Sequence, residues 1–272
     1  MNKFEFLTNP IPGRFFLMAG PCVVEDEQMP MEIGKAIFQI TQKYNIPFIF
    51  KASFKKANRT RLDSFTGIGD LKALEKIAEV GSKLGIPVVT DIHTADDAVM
   101  AAEYVDILQI PAFLCRQTDL LIAAANTGKI INVKKGQFVE GSAMRFAIDK
   151  IRQSGNTQPL MLTERGSMFG YQDLVVDFRN IPLMRKIGVP VVVDITHSLQ
   201  QPNQASGVSG GNPELIETIA MAGIATGAEG IFLETHPEPS RAKSDGANML
   251  PLDNLDALLR KLVRLKEAVD GI

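Results

Sequence analysis

The sequence has 272 residues, of which 45% are hydrophobic and 22% charged, and its net charge is −2. These values are ordinary for a globular protein with one large hydrophobic core. A slightly acidic chain has no overall field that attracts nucleic acid or an anionic membrane, so we expect neither partner. No apolar run reaches the roughly 20 residues of a bilayer span, and the amino terminus lacks the order of a secretory signal. We therefore expect a cytoplasmic protein.

Short β-rich runs alternate with longer segments of helical periodicity along the chain. The strands are predicted at residues 15–19, 48–51, 88–91, 107–110, 130–133, 160–163, 191–194 and 230–233. Most of them are continuous apolar runs, which is typical of parallel strands covered on both faces. Helices are predicted between and after them, among others at residues 70–84, 95–104, 119–126, 213–226 and 254–269. Glycines at the expected helix ends support these limits: Gly85, Gly128, Gly155, Gly188 and Gly227.

Eight strand–helix units in 272 residues favour a closed (β/α)8 barrel, with residues 1–272 as one domain. The rival fold is a doubly wound open sheet, which usually has a glycine-rich turn after its first strand. Here the first strand is followed by Gly20-Pro21-Cys22, so the barrel is preferred. Residues 1–13 are expected to form a short extension, either a small strand or a cap over the barrel bottom. Residues 200–211, rich in Gln, Ser and Gly, are expected to form a long mobile loop.

Basic residues are concentrated just after the predicted strands, where the catalytic groups of such barrels lie. They are Lys51, Lys56, Arg59, Arg116, Lys134 and Arg165. Cations this close repel one another unless carboxylates or a ligand's anionic groups neutralise them. One interpretation is salt bridging with Asp91, Glu164 and Asp194. For the whole set we favour a ligand that carries at least one phosphate or carboxylate, with Arg as a bidentate donor and Lys as a point charge.

A second group of polar residues has the character of metal ligands. It comprises Cys22, His197, Glu234 and Asp245, which follow the first, seventh and eighth strands. These strands are neighbours in a closed barrel, so the four side chains can converge, and their atoms suit Zn²⁺, Fe²⁺ or Mn²⁺. The alternatives are a hydrogen-bonded core histidine and a buried thiol, the latter being our interpretation of Cys115. His93 and His236 are further candidates, either for contacts to a substrate or for support of the ligands.

Several segments at the strand ends match one enzyme family. They are residues 19–22 (AGPC), 51–59 (KASFKKANR), 109–119 (QIPAFLCRQTD), 132–138 (NVKKGQF), 162–170 (LTERGSMFG), 196–198 (THS) and 234–239 (ETHPEP). In these segments the chain closely resembles the 3-deoxy-D-manno-octulosonate 8-phosphate synthases, from the first strand to the eighth. The resemblance implies an enzyme that condenses phosphoenolpyruvate with arabinose 5-phosphate and releases phosphate, in the synthesis of the sugar acid of lipopolysaccharide. It also implies a homotetramer.

The resemblance assigns a substrate role to many of the residues at the strand ends. Lys134 and Arg165 are implied to hold phosphoenolpyruvate, near Lys51, Ser53, Lys56, Gln109 and the backbone of Ala112. Asn58, Arg59 and the hydroxyl of Thr60 are implied to hold the pentose phosphate. Arg116 belongs to the same phosphate network and can come from a neighbouring subunit. The implied catalytic residues are Lys56, Asp91, Lys134 and His197.

The family contains metal-dependent members with cysteine after the first strand and metal-independent members with asparagine there. Cys22 places this chain in the metal-dependent class, and His197, Glu234 and Asp245 match the other ligands of a divalent ion (Zn, Fe or Mn). Because the asparagine relatives run the same reaction without metal, the ion cannot be the only source of catalysis. It is implied to orient and polarise the aldehyde or a water. The proton carrier stays open among Asp91, His197 and a metal-bound water.

The chain departs from the family pattern in two places. Asn58-Arg59 is commonly followed by two serines, whereas here Thr60 keeps a hydroxyl and Arg61 adds a cation that can alter phosphate affinity or pair with Asp63. After the seventh strand many relatives carry an arginine beyond the glycine pair, which residues 210–214 (GGNPE) lack. Contacts from that loop are therefore not carried over.

Two other functions stay open from the sequence. The first is 3-deoxy-arabino-heptulosonate 7-phosphate synthase, a sister enzyme that uses erythrose 4-phosphate. Its usual signature at the second strand is Lys-Pro-Arg-Thr, whereas Lys56-Ala57-Asn58-Arg59 fits the pentose enzyme. The second is a non-catalytic phosphosugar-binding barrel, which predicts the loss of some of the matched basic residues. None of those residues is missing here.

Overall fold

The computed structural model describes residues 3–59, 61–169, 173–201 and 210–272, and strands and helices alternate through them. The barrel strands are β1 (Phe16–Gly20), β2 (Phe48–Lys51), β3 (Val88–Asp91), β4 (Ile107–Ile110), β5 (Ile130–Lys134), β6 (Leu160–Glu164), β7 (Val191–Asp194) and β8 (Gly230–His236). The α-helices are α1 (Met29–Lys43), α2 (Asp70–Leu84), α3 (Ala95–Ala102), α4 (Thr118–Asn126), α5 (Arg145–Gln153), α6 (Asn180–Arg185), α7 (Ile216–Ala225) and α8 (Leu255–Asp270).

Consecutive strands pair in parallel from β1 to β8, and β8 pairs in parallel with β1. The closing register sets Phe16 beside Gly230 and Gly20 beside Glu234. The helices cover the outer face of the barrel, so the strands are buried on both sides. The described residues therefore form a single-domain (β/α)8 barrel, as the sequence predicts.

The interior of the barrel changes from apolar to polar along every strand. Its lower part, toward the amino ends of the strands, is a buried cluster of Leu7, Phe16, Met18, Ile49, Val89, Ile107, Ile130, Met161, Val192 and Phe232. Strand side chains alternate between the two faces, so the next inward residue lies two positions further on. Those residues are Lys51, Asp91, Gln109, Asn132, Thr163, Asp194 and Glu234, and Lys134 lies a further two positions beyond Asn132; all are buried. The carboxyl end of the barrel therefore has a buried layer of polar and charged groups.

Glycine occupies the corresponding position of β1. A Cβ atom on Gly20 would lie 2.0 Å from the carbonyl oxygen of Lys51, so no side chain fits there. The close approach of β1 and β2 brings the residues that follow β1 against Lys51, whose ammonium group donates to the carbonyl oxygen of Cys22 at 3.0 Å.

The amino-terminal segment lies against the lower end of the barrel. Glu5–Leu7 is a 3₁₀ turn rather than the small strand that was one of the two expectations. Leu7 is 4% exposed and belongs to the lower interior cluster, and Phe4 and Phe6 pack against the same cluster. The apolar side chains of this segment thus cover the amino ends of the strands.

The predicted elements agree with the structure to within about two residues at each end. The exceptions are residues 213–226, where Pro213–Leu215 is a 3₁₀ turn ahead of α7, and the last strand, which was expected to end at residue 233 and extends to His236. The five glycines expected at helix ends all have positive φ, between 66° and 92°. Gln200–Gln201 pairs antiparallel with Gly210–Gly211 at the two ends of the loop that was expected to be mobile. Residues 202–209 of that loop, Thr60 and Gly170 lie outside the described residues.

Candidate active site

Three of the four predicted metal ligands converge at the carboxyl ends of β1 and β8. Cys22, Glu234 and Asp245 each offer a ligand atom, and these atoms all lie within 4.8 Å of one another. The loop after β8 brings Asp245 back over the barrel, where its carboxylate lies 3.4 Å from the sulfur of Cys22. A thiol and two carboxylates are a donor set that suits a borderline divalent ion, so this group is a possible metal site.

His197, the fourth predicted ligand, faces the same group from the end of β7. Its Nε2 is 3.5 Å from the Glu234 carboxylate, and its Nδ1 is 2.9 Å from the carboxylate of Asp194. An aspartate that accepts a hydrogen bond from Nδ1–H leaves the lone pair on Nε2, the arrangement typical of histidines that bind metals. Asp194 thus orients the imidazole toward Glu234, although His197 is outside the group of three whose ligand atoms lie within 4.8 Å of one another.

Lys56 lies against this group. Its ammonium group is 2.8 Å from the sulfur of Cys22 and also contacts the carboxylate of Asp245. Burial and the neighbouring carboxylate of Glu234 raise the pKa of the Cys22 thiol. Burial opposes ionisation of Asp245, but the ammonium of Lys56 outweighs it and lowers the pKa of that carboxyl. The ammonium group of Lys56 therefore lies between a thiol and a carboxylate and contacts both.

A second network surrounds Asp91 at the end of β3. Its carboxylate accepts hydrogen bonds from Ser53 at 2.5 Å and from the side-chain amide of Gln109 at 2.7 Å. It also lies 3.6 Å from the ammonium group of Lys51, which pairs with Glu234 at 2.7 Å. Burial opposes ionisation of Asp91, and the nearby lysines outweigh it, so the pKa of Asp91 is lowered. Gln109 is fully buried beneath the cavity and fixes Asp91, while a direct contact from Gln109 to substrate stays a prediction.

Lys134 extends from β5 over the apolar floor of the cavity. Its ammonium group lies 3.7 Å from the centre of the Phe232 ring and 2.8 Å from the carboxylate of Asp194. Asp194 also accepts from the backbone N–H groups of Thr196 and His197, at 3.1 and 2.8 Å. Burial opposes its ionisation, yet His197 and Lys134 hold the pKa of Asp194 well below the usual range. One buried carboxylate thus positions both Lys134 and His197.

Arg165 differs from the other basic residues of the cavity. It is 5% exposed and lines the same cavity as Lys56, Lys134 and His197. Within the described part of the chain its guanidinium has no hydrogen-bond partner and no carboxylate within salt-bridge distance. Burial lowers its pKa. A buried guanidinium without a partner is costly, so its donors are available for the anionic groups of a ligand.

The structure divides the six predicted cations into three kinds. Lys51, Lys56 and Lys134 form salt bridges, with Glu234 and Asp91, with Asp245 and with Asp194 respectively. Glu164, which was a suggested partner of these cations, lies instead 3.4 Å from Lys135. Arg59 and Arg116 are exposed at the rim. Salt bridging therefore explains three of the six, and the ligand interpretation rests on Arg165 and on the rim.

The rim contains the residues expected to bind the pentose phosphate. Asn58 lines the cavity and is exposed, and Ala112 contributes a buried wall on the opposite side. The guanidinium of Arg59 donates to the carbonyl oxygen of Leu62 at 2.8 Å. Arg61 pairs with Asp63 through two hydrogen bonds, of 2.8 and 2.6 Å, which is one of the two outcomes expected for this departure from the family.

The histidines that were further candidates lie at the edges of the site. His93 lines the cavity, and its Nδ1 is 3.3 Å from the carboxylate of Asp97. Burial lowers the pKa of His93. His236 lies 4.0 Å from the carboxylate of Glu25 through Nε2, and its Nδ1 accepts from the backbone N–H of Glu238.

Lys135 and Gln137 are among the residues of the site that were not selected from the sequence. Lys135 is fully buried beside Lys134, and Gln137 lines the cavity with a buried side-chain oxygen that has no partner among the described residues. Both belong to the motif at residues 132–138, in which Lys135 follows a lysine already assigned to the ligand. The sequence did contain a signal for Lys135. It directly follows the inward-facing Lys134, so alternation along the strand places it on the other face.

Comparison with known proteins identifies the family. The DAHP synthetase I family matches residues 12–270. A protein named 2-dehydro-3-deoxyphosphooctonate aldolase from Koribacter versatilis is 51% identical over 259 residues, which cover 94% of this chain and 92% of that protein. Proteins of the same name from Geobacter metallireducens and Brucella anthropi are 50% and 48% identical, over 94% and 95% of this chain and 92% and 93% of their own lengths. No helix in the described ranges is long and apolar enough to cross a membrane. With its barrel, its buried polar layer and these relatives, the chain belongs to the DAHP synthetase I family.

Proposed function

We propose that the protein condenses phosphoenolpyruvate with D-arabinose 5-phosphate and water to give 3-deoxy-D-manno-octulosonate 8-phosphate and inorganic phosphate. The observation that carries this proposal is the buried guanidinium of Arg165, which faces the cavity beside Lys134 and has no partner among the residues that the structure describes. A substrate with a phosphate and a carboxylate supplies the anionic groups that such a site requires. The relatives at about 50% identity are named for the same eight-carbon keto-acid phosphate.

In the reaction, C3 of phosphoenolpyruvate attacks the aldehyde carbon of the sugar, and water adds to C2. The C–O bond to the phosphate at C2 then breaks, and inorganic phosphate leaves. We assign Lys134 and Arg165 to the phosphate and carboxylate of phosphoenolpyruvate, where they stabilise the charge of the departing phosphate. Lys51, Ser53, Lys56 and Ala112 complete this part of the cavity, and Lys56, Asp91, Lys134 and His197 are the proposed catalytic residues.

Proton transfer is assigned to the two side chains that fixed networks orient over the cavity. His197 is held by Asp194 through Nδ1, so Nε2 can exchange a proton only while it is not bound to the metal ion proposed below. Asp91 is kept ionised by Lys51 and Lys134, so it can orient a water through a hydrogen bond or stabilise positive charge, and its lowered pKa lets it hold a proton only transiently. Asn58, Arg59 and Thr60 are proposed to hold the phosphate of the pentose.

We also propose that the site binds a divalent metal ion. Cys22, His197, Glu234 and Asp245 would hold one Zn²⁺, Fe²⁺ or Mn²⁺, which acts as a Lewis acid toward the aldehyde when bound. Lys56 contacts two of these four residues, Cys22 and Asp245, through its ammonium group. We further propose a cytoplasmic homotetramer in which Arg116 of one subunit reaches the site of another.

The sister activity with erythrose 4-phosphate shares the family and the same phosphoenolpyruvate site. The names of the relatives and the segment Lys56-Ala57-Asn58-Arg59 favour the pentose enzyme. The deciding experiment measures phosphate release from phosphoenolpyruvate with arabinose 5-phosphate or erythrose 4-phosphate, before and after exhaustive chelation and metal return.

We expect turnover with the five-carbon sugar, loss of activity on chelation and recovery with a divalent ion. Turnover with erythrose 4-phosphate alone would refute the substrate assignment. Full activity without metal would refute the metal assignment and leave the substrate assignment intact. If the protein binds phosphoenolpyruvate and arabinose 5-phosphate but releases no inorganic phosphate, it is a binding protein and not an enzyme.

A further inference from the structure

Lys135 is a buried cation that the proposed reaction does not use. It is completely buried, and its ammonium group lies 3.4 Å from the carboxylate of Glu164. A hydroxyl and three backbone carbonyl oxygens also lie 3.1 to 3.2 Å from it and share its three N–H donors. These acceptors are Ser167 Oγ and the carbonyls of Gly136, Val139 and Gly166. The side chain therefore connects the loop after β5 to the loop after β6.

Arg165 lies inside the segment that Lys135 holds. Its chain neighbours are Glu164 and Gly166, and both contact Lys135. The Glu164 carboxylate also accepts from the backbone N–H of Gly166 at 2.7 Å, which closes the turn around Arg165. Gly166 has a φ of +87°, a conformation that glycine adopts readily. The backbone on both sides of Arg165 is thus fixed, while its guanidinium has no partner among the described residues.

A second contact ties the same two loops together above Lys135. The backbone N–H of Met168 donates to the carbonyl oxygen of Gln137 at 3.0 Å. Ser167–Met168 pairs antiparallel with Leu174–Val175, so the lysine lies beneath the base of a short hairpin. The ammonium of Lys135 supplies donors to the buried carbonyl oxygens of Val139 and Gly166, whereas the carbonyl of Gly136 also accepts from the backbone N–H of Val139.

We infer that Lys135 is a positioning residue that holds Arg165 in place for the anionic substrate. The inference rests on the proposed function, because it takes phosphoenolpyruvate as the ligand of Arg165. The lysine does not reach the substrate itself, since its donors are used by the two loops. An unpartnered guanidinium keeps a defined direction only if its backbone is held by other groups, and Lys135 together with Glu164 does so.

The test compares wild type with Lys135→Met, Ser167→Ala and Arg165→Met, and with the double variant Lys135→Met/Arg165→Met. Calorimetry gives the affinity for phosphoenolpyruvate without turnover, and initial rates give KM for each substrate. The control is Asn156→Ala, which removes another buried group that caps two carbonyls, those of Ala125 and Lys129, at the opposite end of the barrel.

Lys135→Met is expected to weaken phosphoenolpyruvate binding about 10- to 100-fold, as is usual for the loss of a supporting group. The KM for arabinose 5-phosphate should stay within about threefold, because the pentose residues lie in another loop. Ser167→Ala, which keeps the lysine and is not expected to disturb folding, should weaken the same affinity by a smaller factor. In the Arg165→Met background, Lys135→Met should cause no further loss, because the lysine acts through that arginine.

A purely structural role predicts a different pattern: Lys135→Met and Asn156→Ala would both lower Tm and the active fraction while leaving phosphoenolpyruvate affinity unchanged. That pattern, or equal losses in the presence and absence of Arg165, overturns the inference. If Lys135→Met does not fold, wild-type phosphoenolpyruvate affinity in Ser167→Ala overturns it. Wild-type protein that binds phosphoenolpyruvate without releasing phosphate would overturn the proposed function alone, because the affinities of the variants would still be comparable.

Discussion

The same strands form the lower and upper halves of the barrel interior, but the lower half contains apolar side chains and the upper half polar and charged ones. Below, Ile49, Val89 and Val192 fill the space with apolar groups, and above them Lys51, Asp91 and Asp194 occupy the next inward positions. Burial of apolar groups stabilises the fold, whereas burial of charge costs free energy unless each charge is paired. The upper half is thus built for a ligand on a scaffold that the lower half stabilises.

Most of the basic side chains in the upper half are paired with carboxylates, and the exception indicates where an anionic ligand binds. Lys51, Lys56 and Lys134 have carboxylate partners, while Arg165 has none in the described part of the chain. In the lower half no comparable polar side chain is present among the clustered residues. The contrast predicts that changes above alter catalysis more than stability and that changes below do the reverse.

The largest effect on activity is expected from Arg165→Met. Loss of the guanidinium should lower kcat/KM for phosphoenolpyruvate about 1,000-fold, since a charged donor to the substrate is removed. The Tm should stay equal or rise, because an apolar side chain replaces a buried charge without partners. Steady-state rates and thermal unfolding measure the two effects, with Arg152→Met on the outer face of α5 as the control. A variant with normal KM and a lowered Tm would mean that Arg165 is structural.

The complementary change in the lower half is Met161→Ala. Met161 is fully buried, and its truncation should cost about 3 kcal/mol in the free energy of unfolding. Its distance from the cavity leaves KM for both substrates unchanged. Denaturant unfolding and initial rates on the folded protein check this prediction. A raised KM for phosphoenolpyruvate would show that the two halves are coupled through the packing.

An intermediate effect is expected from Cys22→Asn. The amide oxygen can accept from Lys56 in place of the sulfur, and the family resemblance implies that members with asparagine at this position work without metal. The variant should therefore keep a reduced, metal-independent activity, lowered by about 10- to 100-fold, and should bind divalent ions more weakly. Metal content and phosphate release before and after chelation measure both. A folded variant with no activity at any metal concentration would contradict the idea that the ion assists rather than drives the reaction.

The smallest effect is expected from Arg61→Ser, at the exposed rim. Arg61 is paired with Asp63 in an ion pair of which both members are largely exposed, and such pairs contribute little. The KM for arabinose 5-phosphate should change by less than about threefold, because Asp63 already neutralises the added cation. Initial rates at low and moderate salt test it. A large, salt-sensitive change in that KM would show that Arg61 contacts the pentose phosphate directly.

Sequence reasoning recovered the barrel because the strands are continuous apolar runs and the helices are amphipathic, with glycines at their ends. It also located Cys22, Glu234 and Asp245, since neighbouring strands of a closed barrel bring their ends together. It could not assign partners to the cations. Whether Lys51 pairs with Asp91, Glu164 or Glu234 depends on side-chain directions in a shared interior, which no spacing encodes.

The role of Lys135 was beyond the sequence for a related reason. Lys135 directly follows Lys134, and two adjacent lysines suggest a site for an anionic substrate. Side chains alternate along a strand, however, so Lys135 points away from the cavity. Its acceptors are mostly backbone carbonyls of two loops, and any sequence can supply these. Arg165 is the reverse case, because the motif predicted a ligand-binding residue and the structure adds that the described part of the chain provides no partner for it.

The most direct measurement is a crystal structure of the protein with phosphoenolpyruvate bound. We predict that the phosphate and carboxylate oxygens lie within hydrogen-bond distance of the Arg165 guanidinium and of the Lys134 ammonium, above the Phe232 ring. Arg165 should keep its backbone contacts through Gly166. The account is contradicted if the substrate binds elsewhere while Arg165 pairs with a carboxylate of the protein.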